Sequence, residues 1–267
     1  MLEMVSSGVR ELDVLTGGWP RGCLSEICGS ASSGSASVLL ATLAATTLRQ
    51  EVCALVDASD MFDPVSAATA GVNFEKLLWV RCDSSPKILP RRYRQTNIKR
   101  SAGNSQMIEV EQVLRVTDLL LQSGGFGLVI IDLGGVSFRT ARRIPLASWF
   151  RFQRAVEHTP TVLLVVTPAP CAQTCATVLL NLRMDFAVGP LASQLKAGYP
   201  SFAKKPSAFT NQQSANTENG ADVPGEGPAH MQLLYGLSVE AELLRSRLTK
   251  PVHSVRTAFK TKTIRAG

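Results

Sequence analysis

The sequence predicts a doubly wound α/β domain, a mostly parallel sheet with helices on both faces. Three observations predict it. Apolar runs of strand length alternate with segments of helical character between residues 24 and 183. These runs are apolar almost throughout, the mark of strands covered on both faces. Two of them end in an aspartate, Asp57 and Asp132, on the C-terminal edge where such sheets place ligands.

The first strand is read over 24–28 (Leu-Ser-Glu-Ile-Cys), followed by a Gly/Ser-rich turn at 29–37 and a helix over 38–49. The run 52–57 is the second strand, and Pro64 is placed to open a helix over 65–71. Strands are read at 77–82, 127–133 and 161–167, with helices at 110–123, 146–157 and about 172–183. Right-handed crossovers join parallel strands of this kind.

Two stretches break the alternation. Residues 84–109 carry six basic side chains and two prolines and read as an exposed basic loop. Residues 200–230 are poor in apolar residues and rich in Pro, Gly, Asn and Ser, and a flexible linker is read over 191–230. The expected organisation is therefore a core over 1–190, this linker, and a C-terminal part over 231–267. That part combines a short apolar strand or helix with a basic tail.

Composition bounds the function. The chain has 267 residues, 45% hydrophobic and 18% charged, which excludes a mainly disordered or fibrous protein. No run of about 18 apolar residues is present, so no membrane span is expected. No basic-then-apolar leader is seen, and a cytoplasmic protein is expected. The six cysteines form no CxxC pair, and His158, His230 and His253 lie at no ligand spacing. Packed, reduced thiols and no metal are expected.

The net charge of +7 is segregated: residues 1–80 carry −5, and residues 81–110 and 191–267 carry +5 each. Such a basic surface fits a polyanion or an acidic protein, or equally a set of solvated loops.

Strand, Gly-rich turn and helix in succession make the geometry of a phosphate-binding loop, GxxxxGK[ST]. Gly29 and Gly34 hold its spacing, but Ser35 stands at the lysine position and Ala36 at the hydroxyl position. Ser37 lies one residue late, about 100° around the helix. The loop is degenerate: its outline is kept, and the groups that handle phosphate charge and magnesium are replaced.

The stretch 7–34 (SGVRELDVLTGGWPRGCLSEICGSASSG) resembles the start of the RecA recombinase core. The family's Leu-Asp pair, Gly-Gly-x-Pro-x-Gly turn and Glu-Ile-x-Gly strand fall on Leu12, Asp13, Gly17, Gly18, Pro20, Gly22, Glu26, Ile27 and Gly29. Residues 56–64 (VDASDMFDP) resemble the segment that follows the family's second strand. Residues 127–133 resemble its Walker B strand, with Asp132 as the acid. The resemblance covers about residues 5–185 and implies a RecA-like P-loop fold. Its vestigial nucleotide site comprises Gly29, Ser33, Gly34, Ser35, Ala36, Ser37 and Asp132. The family's catalytic glutamate falls on Ser59, with Asp60 beside it as a possible substitute acid. Phosphoryl transfer rests on positioning and electrostatics, so the expectation is a protein that is not an enzyme. No catalytic residue and no cofactor are assigned, beyond residual ATP binding through the loop backbone.

A RecA-like core without these groups is most similar to the ImuA-type accessory proteins of bacterial mutagenesis cassettes. That resemblance implies a part in the SOS response, DNA repair and recombination beside a translesion-polymerase-like partner. The chain is expected as a monomer or small oligomer. Arg139, Arg142 and Arg143, just after the Walker B strand, are candidates for sequence-independent contact with single-stranded DNA. Arg91, Arg92, Tyr93 and Arg94 combine charge with one stacking ring, and Lys260, Lys262 and Arg265 supply a basic tail. Each group reads equally as a solvated surface. Two alternatives stand beside this reading: a DNA-dependent ATPase with a rearranged pocket, and a scaffold that binds no DNA.

Overall fold

An eight-stranded sheet forms the centre of the computed structural model, which describes residues 2–82, 102–185, 237–248 and 255–261. A small antiparallel pair comes first, β1 (Met4–Val5) and β2 (Trp19–Pro20), with α1 (Arg10–Thr16) between them. Then follow β3 (Cys23–Cys28), α2 (Ser35–Leu48), β4 (Cys53–Asp57), α3 (Pro64–Thr69) and β5 (Leu77–Arg81). Next come α4 (Ala102–Ser123), β6 (Leu128–Asp132), α5 (Phe138–Ala141), α6 (Leu146–Val156) and β7 (Val162–Thr167). The chain closes with β8 (Val178–Asp185), β9 (Leu237–Ser246) and β10 (Val255–Thr261).

The strand order is β10-β9-β8-β3-β7-β6-β4-β5. From β8 to β5 every pairing is parallel, while β9 and β10 join antiparallel. The expected mostly parallel α/β architecture is what the chain adopts. Side-chain alternation along the strands builds two cores. On one face Leu24, Val56, Ile131 and Val165 meet α4 and α6 through Val113, Trp149 and Phe152. On the other Ile27, Leu55, Ile130 and Leu164 meet α1, α2 and α3 through Leu12, Leu43 and Ala67. Burying each large apolar side chain contributes about 1.5–3 kcal/mol.

Three expectations are corrected. The helix at about 172–183 is a short 3-10 turn, Gln173–Cys175, followed by strand β8. Leu179, Leu180 and Leu182 are all buried, and β3 and β9 complete the backbone bonds on either side. The last part of the 84–109 loop is helical from Ala102, as the start of α4. The basic tail contains β10, whose Arg256 reaches Glu240 and Glu242 across the ladder. The linker over 191–230 lies outside the described residues.

Among the described residues, no helix is long and apolar enough to cross a membrane, and no cluster of metal-ligating side chains is found. All six cysteines are free thiols. Burial pushes Cys28, Cys53 and Cys171 up to about 12 and Cys82 to about 11, which makes them packing groups rather than nucleophiles.

Candidate functional site

The C-terminal edge of the parallel strands gathers most of the chemistry. β3 ends at Cys28, and the Gly29 N–H donates to Thr167 O at 3.1 Å, fixing the start of the loop to β7. Ser33 N–H closes the turn on Ser30 O at 3.0 Å. Gly34 caps α2 in the left-handed region at φ 89°, and the Val38 N–H returns to its carbonyl at 3.2 Å. The loop therefore has the strand–turn–helix shape its glycines imply. A Cβ on Gly34 would lie 2.5 Å from Val239 Cγ2, so strand β9 packs directly against the loop. Ser33 is buried, and its hydroxyl has no hydrogen-bond partner among the described residues.

The donor set decides what this loop offers. Ser35 and Ala36 open α2 with neither an ammonium nor a hydroxyl at the metal position. Backbone N–H groups at the start of a 14-residue helix are what remain for an anion.

Two aspartates lie beside the loop in register, Asp57 opposite Asp132 on paired β4 and β6. Asp57 builds its own turn. It accepts from the N–H groups of Ser59 (3.1 Å), Met61 (3.3 Å) and Phe62 (3.1 Å), and from Trp79 Nε1 (3.3 Å). Asp132 accepts only from Gly134 N–H, at 2.9 Å, among the described residues. Burial pushes its carboxyl up to about 6, and Asp57 adds repulsion. Asp60 faces Arg81, with both carboxylate oxygens 2.6 Å from the guanidinium. Ser59 Oγ would lie 2.6 Å from a Cβ on Gly135, so the loop after β6 rests on it.

The basic residues fall in different places. Arg139 lies in α5, with Arg142 and Arg143 directly after it, and all three are exposed on the loop side of β6. No carboxylate among the described residues pairs with them. The Arg142 guanidinium sits 5.3 Å from the centre of the Phe138 ring. Lys260 belongs to β10, five strands from β6 in the sheet, about 24 Å at the usual strand spacing. Arg91, Arg92, Tyr93, Arg94, Lys262 and Arg265 lie outside the described residues. Of the aromatics in α6, Trp149 and Phe152 are core, and Arg151 is held by Asp118.

Two features escaped the sequence reading. Glu26, noted only as a motif residue, is fully buried. Its carboxylate accepts from Thr167 Oγ1 (2.9 Å), Cys171 N–H (2.6 Å) and Ala172 N–H (3.1 Å). A charged residue in the middle of an apolar strand was the available signal. The second is a cleft of about 450 Å³ lined by Phe138, Arg142, Ala169, Pro170, Cys171 and Gln173. It joins segments 30 residues apart, and no local pattern announces it.

Residues 1–91 match the RecA N-terminal domain family. The chain is 31% identical over 133 residues to Protein RecA of Ectopseudomonas oleovorans, 49% of this chain and 31% of that protein. It is 34% identical over 133 residues to Protein RecA of Methylobacterium radiotolerans, 49% of this chain and 30% of that protein. About half of the chain is similar in sequence to Protein RecA. It spans about a third of the length of the curated relatives it matches.

The match corrects the expectation that the protein is not an enzyme. The relatives are named RecA, a DNA-dependent ATPase, so the similarity runs to an enzyme family. That expectation gave the side chains at Ser35, Ala36 and Ser59 the deciding weight. The loop nevertheless runs from strand to helix through Gly34, and Asp57 stands opposite Asp132 on the paired strands β4 and β6.

Proposed function

We propose that the chain is a RecA-like protein of DNA repair and recombination that binds single-stranded DNA without sequence preference. Its place is the SOS damage response, as an accessory to a translesion-polymerase-like protein, acting as a monomer or small oligomer. The observation that carries the DNA reading is the exposed trio Arg139, Arg142 and Arg143, unpaired by carboxylates among the described residues, beside the ligand edge of the sheet. Guanidinium groups placed this way neutralise phosphates and release counterions, which gives salt-sensitive binding. No cofactor is assigned. A nucleotide at the loop would be held by the backbone of residues 29–35, with Ser33, Ser37 and Asp132 around it.

Removing Arg139 and Arg143 together, as the double alanine variant, is expected to flatten the dependence of log K on log salt by about 1.4 for a single-stranded oligonucleotide. Fluorescence anisotropy across a salt series measures it. An unchanged slope sinks the assignment of these residues, and no binding at low salt sinks the DNA reading.

A second reading, a DNA-dependent ATPase with a rearranged pocket, is favoured by Asp132, which stands opposite Asp57 with one backbone donor. It expects DNA-stimulated ATP turnover that Asp132→Ala abolishes. Turnover that survives this substitution, or a parent protein that hydrolyses nothing, removes the reading.

A further inference from the structure

We propose that two copies of the chain join through their β5 edges, as a closed two-fold dimer in which the two central sheets become one. The proposal is independent of the DNA reading.

The sheet has two ends, and they differ. At one end β10 carries Arg256 and Lys260. Two such strands set edge to edge about Ala258 would put Arg256 opposite the partner's Lys260. Like charges placed this way oppose pairing, and cationic residues commonly guard an edge strand. At the other end β5 reads Leu-Leu-Trp-Val-Arg, with no lysine, proline or bulge. Its one cation, Arg81, is already held by both carboxylate oxygens of Asp60. Leu78 is 44% exposed, and Phe74, just before the strand, is 43% exposed. Among the described residues, β4 alone pairs with β5.

The open side of β5 has a definite bonding pattern. Cys82 N–H donates to Asp57 O of β4 at 2.8 Å. Peptide groups alternate sides along a strand, so Leu78 and Val80 also turn toward β4. The N–H and C=O groups of Leu77, Trp79 and Arg81 therefore point away from the sheet. An antiparallel strand centred on Trp79 meets them. Trp79 then lies opposite the partner's Trp79, and Leu77 opposite the partner's Arg81, each pair exchanging two backbone bonds. Leu78 lies opposite the partner's Val80 on the α4 face, where side chains of a pair come closest. The join covers Leu78 and sets no like charges together. Trp79 is ordered beforehand: its Nε1 donates to Asp57 at 3.3 Å, and its ring lies 5.1 Å from Phe62 and 5.0 Å from the Arg81 guanidinium. Little freedom is lost there on association. Each copy uses its one open edge, so the assembly closes at two.

The test is light scattering on the full chain over a concentration series. The expected mass is twice the 28.7 kDa of one chain. Leu78→Lys sets a cation opposite the partner's Val80 twice in each dimer, and is expected to raise the dissociation constant about tenfold. Chains carrying Leu78→Cys, mixed with chains carrying Val80→Cys, are expected to cross-link under mild oxidation, because that pair stands at disulfide distance. Leu78→Cys chains alone are expected to stay separate, since those positions lie on a diagonal about 7–8 Å apart. A monomer at every concentration overturns the proposal, and so does a mass that keeps growing as in head-to-tail assembly. A dimer whose mixed cysteine chains fail to cross-link overturns it as well, whatever Leu78→Lys does. None of these outcomes bears on DNA binding by Arg139, Arg142 and Arg143.

Discussion

Glu26→Ala is expected to destabilise the protein by about 3–5 kcal/mol, enough to threaten folding at physiological temperature. The carboxylate sits inside the sheet with no exposed surface and satisfies a hydroxyl and two backbone N–H groups. Removing it leaves the N–H groups of Cys171 and Ala172 without an acceptor, at about 1–3 kcal/mol each before water enters the space, while the Thr167 hydroxyl keeps the Ile27 carbonyl at 3.4 Å. Glu26→Gln retains one oxygen but turns an amide N–H₂ toward a donor, so a loss of about 1–2 kcal/mol is expected. Burial holds the Glu26 carboxyl above its ordinary value of 4.5, outweighing the three donors that pull it down. The folded state therefore keeps this proton to higher pH than the unfolded chain does. Its contribution is full below the ordinary value and is lost as pH rises through the raised one. Urea unfolding of parent and variants across that range measures both effects. A Glu26→Ala loss below about 1 kcal/mol, or a pH slope that Glu26→Gln leaves untouched, overturns the assignment.

Gly34→Ala is expected to cost about 2–4 kcal/mol. Part is backbone strain, because an L-residue at φ 89° pays about 1–2 kcal/mol. The rest is overpacking, because the new methyl would lie 2.5 and 3.0 Å from the two γ-carbons of Val239. The two terms are separable. Val239→Ala removes the clash but not the strain, so the double variant should be more stable than the sum of the single losses predicts, by about 1 kcal/mol or more. Chemical unfolding of the four proteins completes the cycle. Strict additivity means that β9 and the loop are not packed as described.

Five strands were readable because each is a compact apolar run bounded by turn residues, and all five lie in the centre of the sheet or toward β5. The run at 172–183 was misread because its apolar centre at 178–180 is too short to show a period, and only the flanking strands decide its conformation. The early start of helix α4 was missed because residues 103–106 add no apolar position to mark its face. β10 was hidden by its charge, although Val255, Thr257 and Phe259 alternate as a strand does and Phe259 is buried. At the site, the glycines and Asp132 were legible as a linear pattern. The contacts of Glu26 and the cleft beside Phe138 were not, because each depends on residues 30 or more positions away that only the folded chain brings near.

The central position of β3 dictates an order of events during synthesis. Both of its neighbours, β7 and β8, are encoded far downstream, so at about 5–20 residues per second the strand waits roughly 8–31 s for both partners to be made. Throughout that interval the ionised side chain at its middle keeps an otherwise sticky hexapeptide hydrated and discourages pairing with another nascent chain. The same group that locks the finished sheet thus acts first as its chaperone.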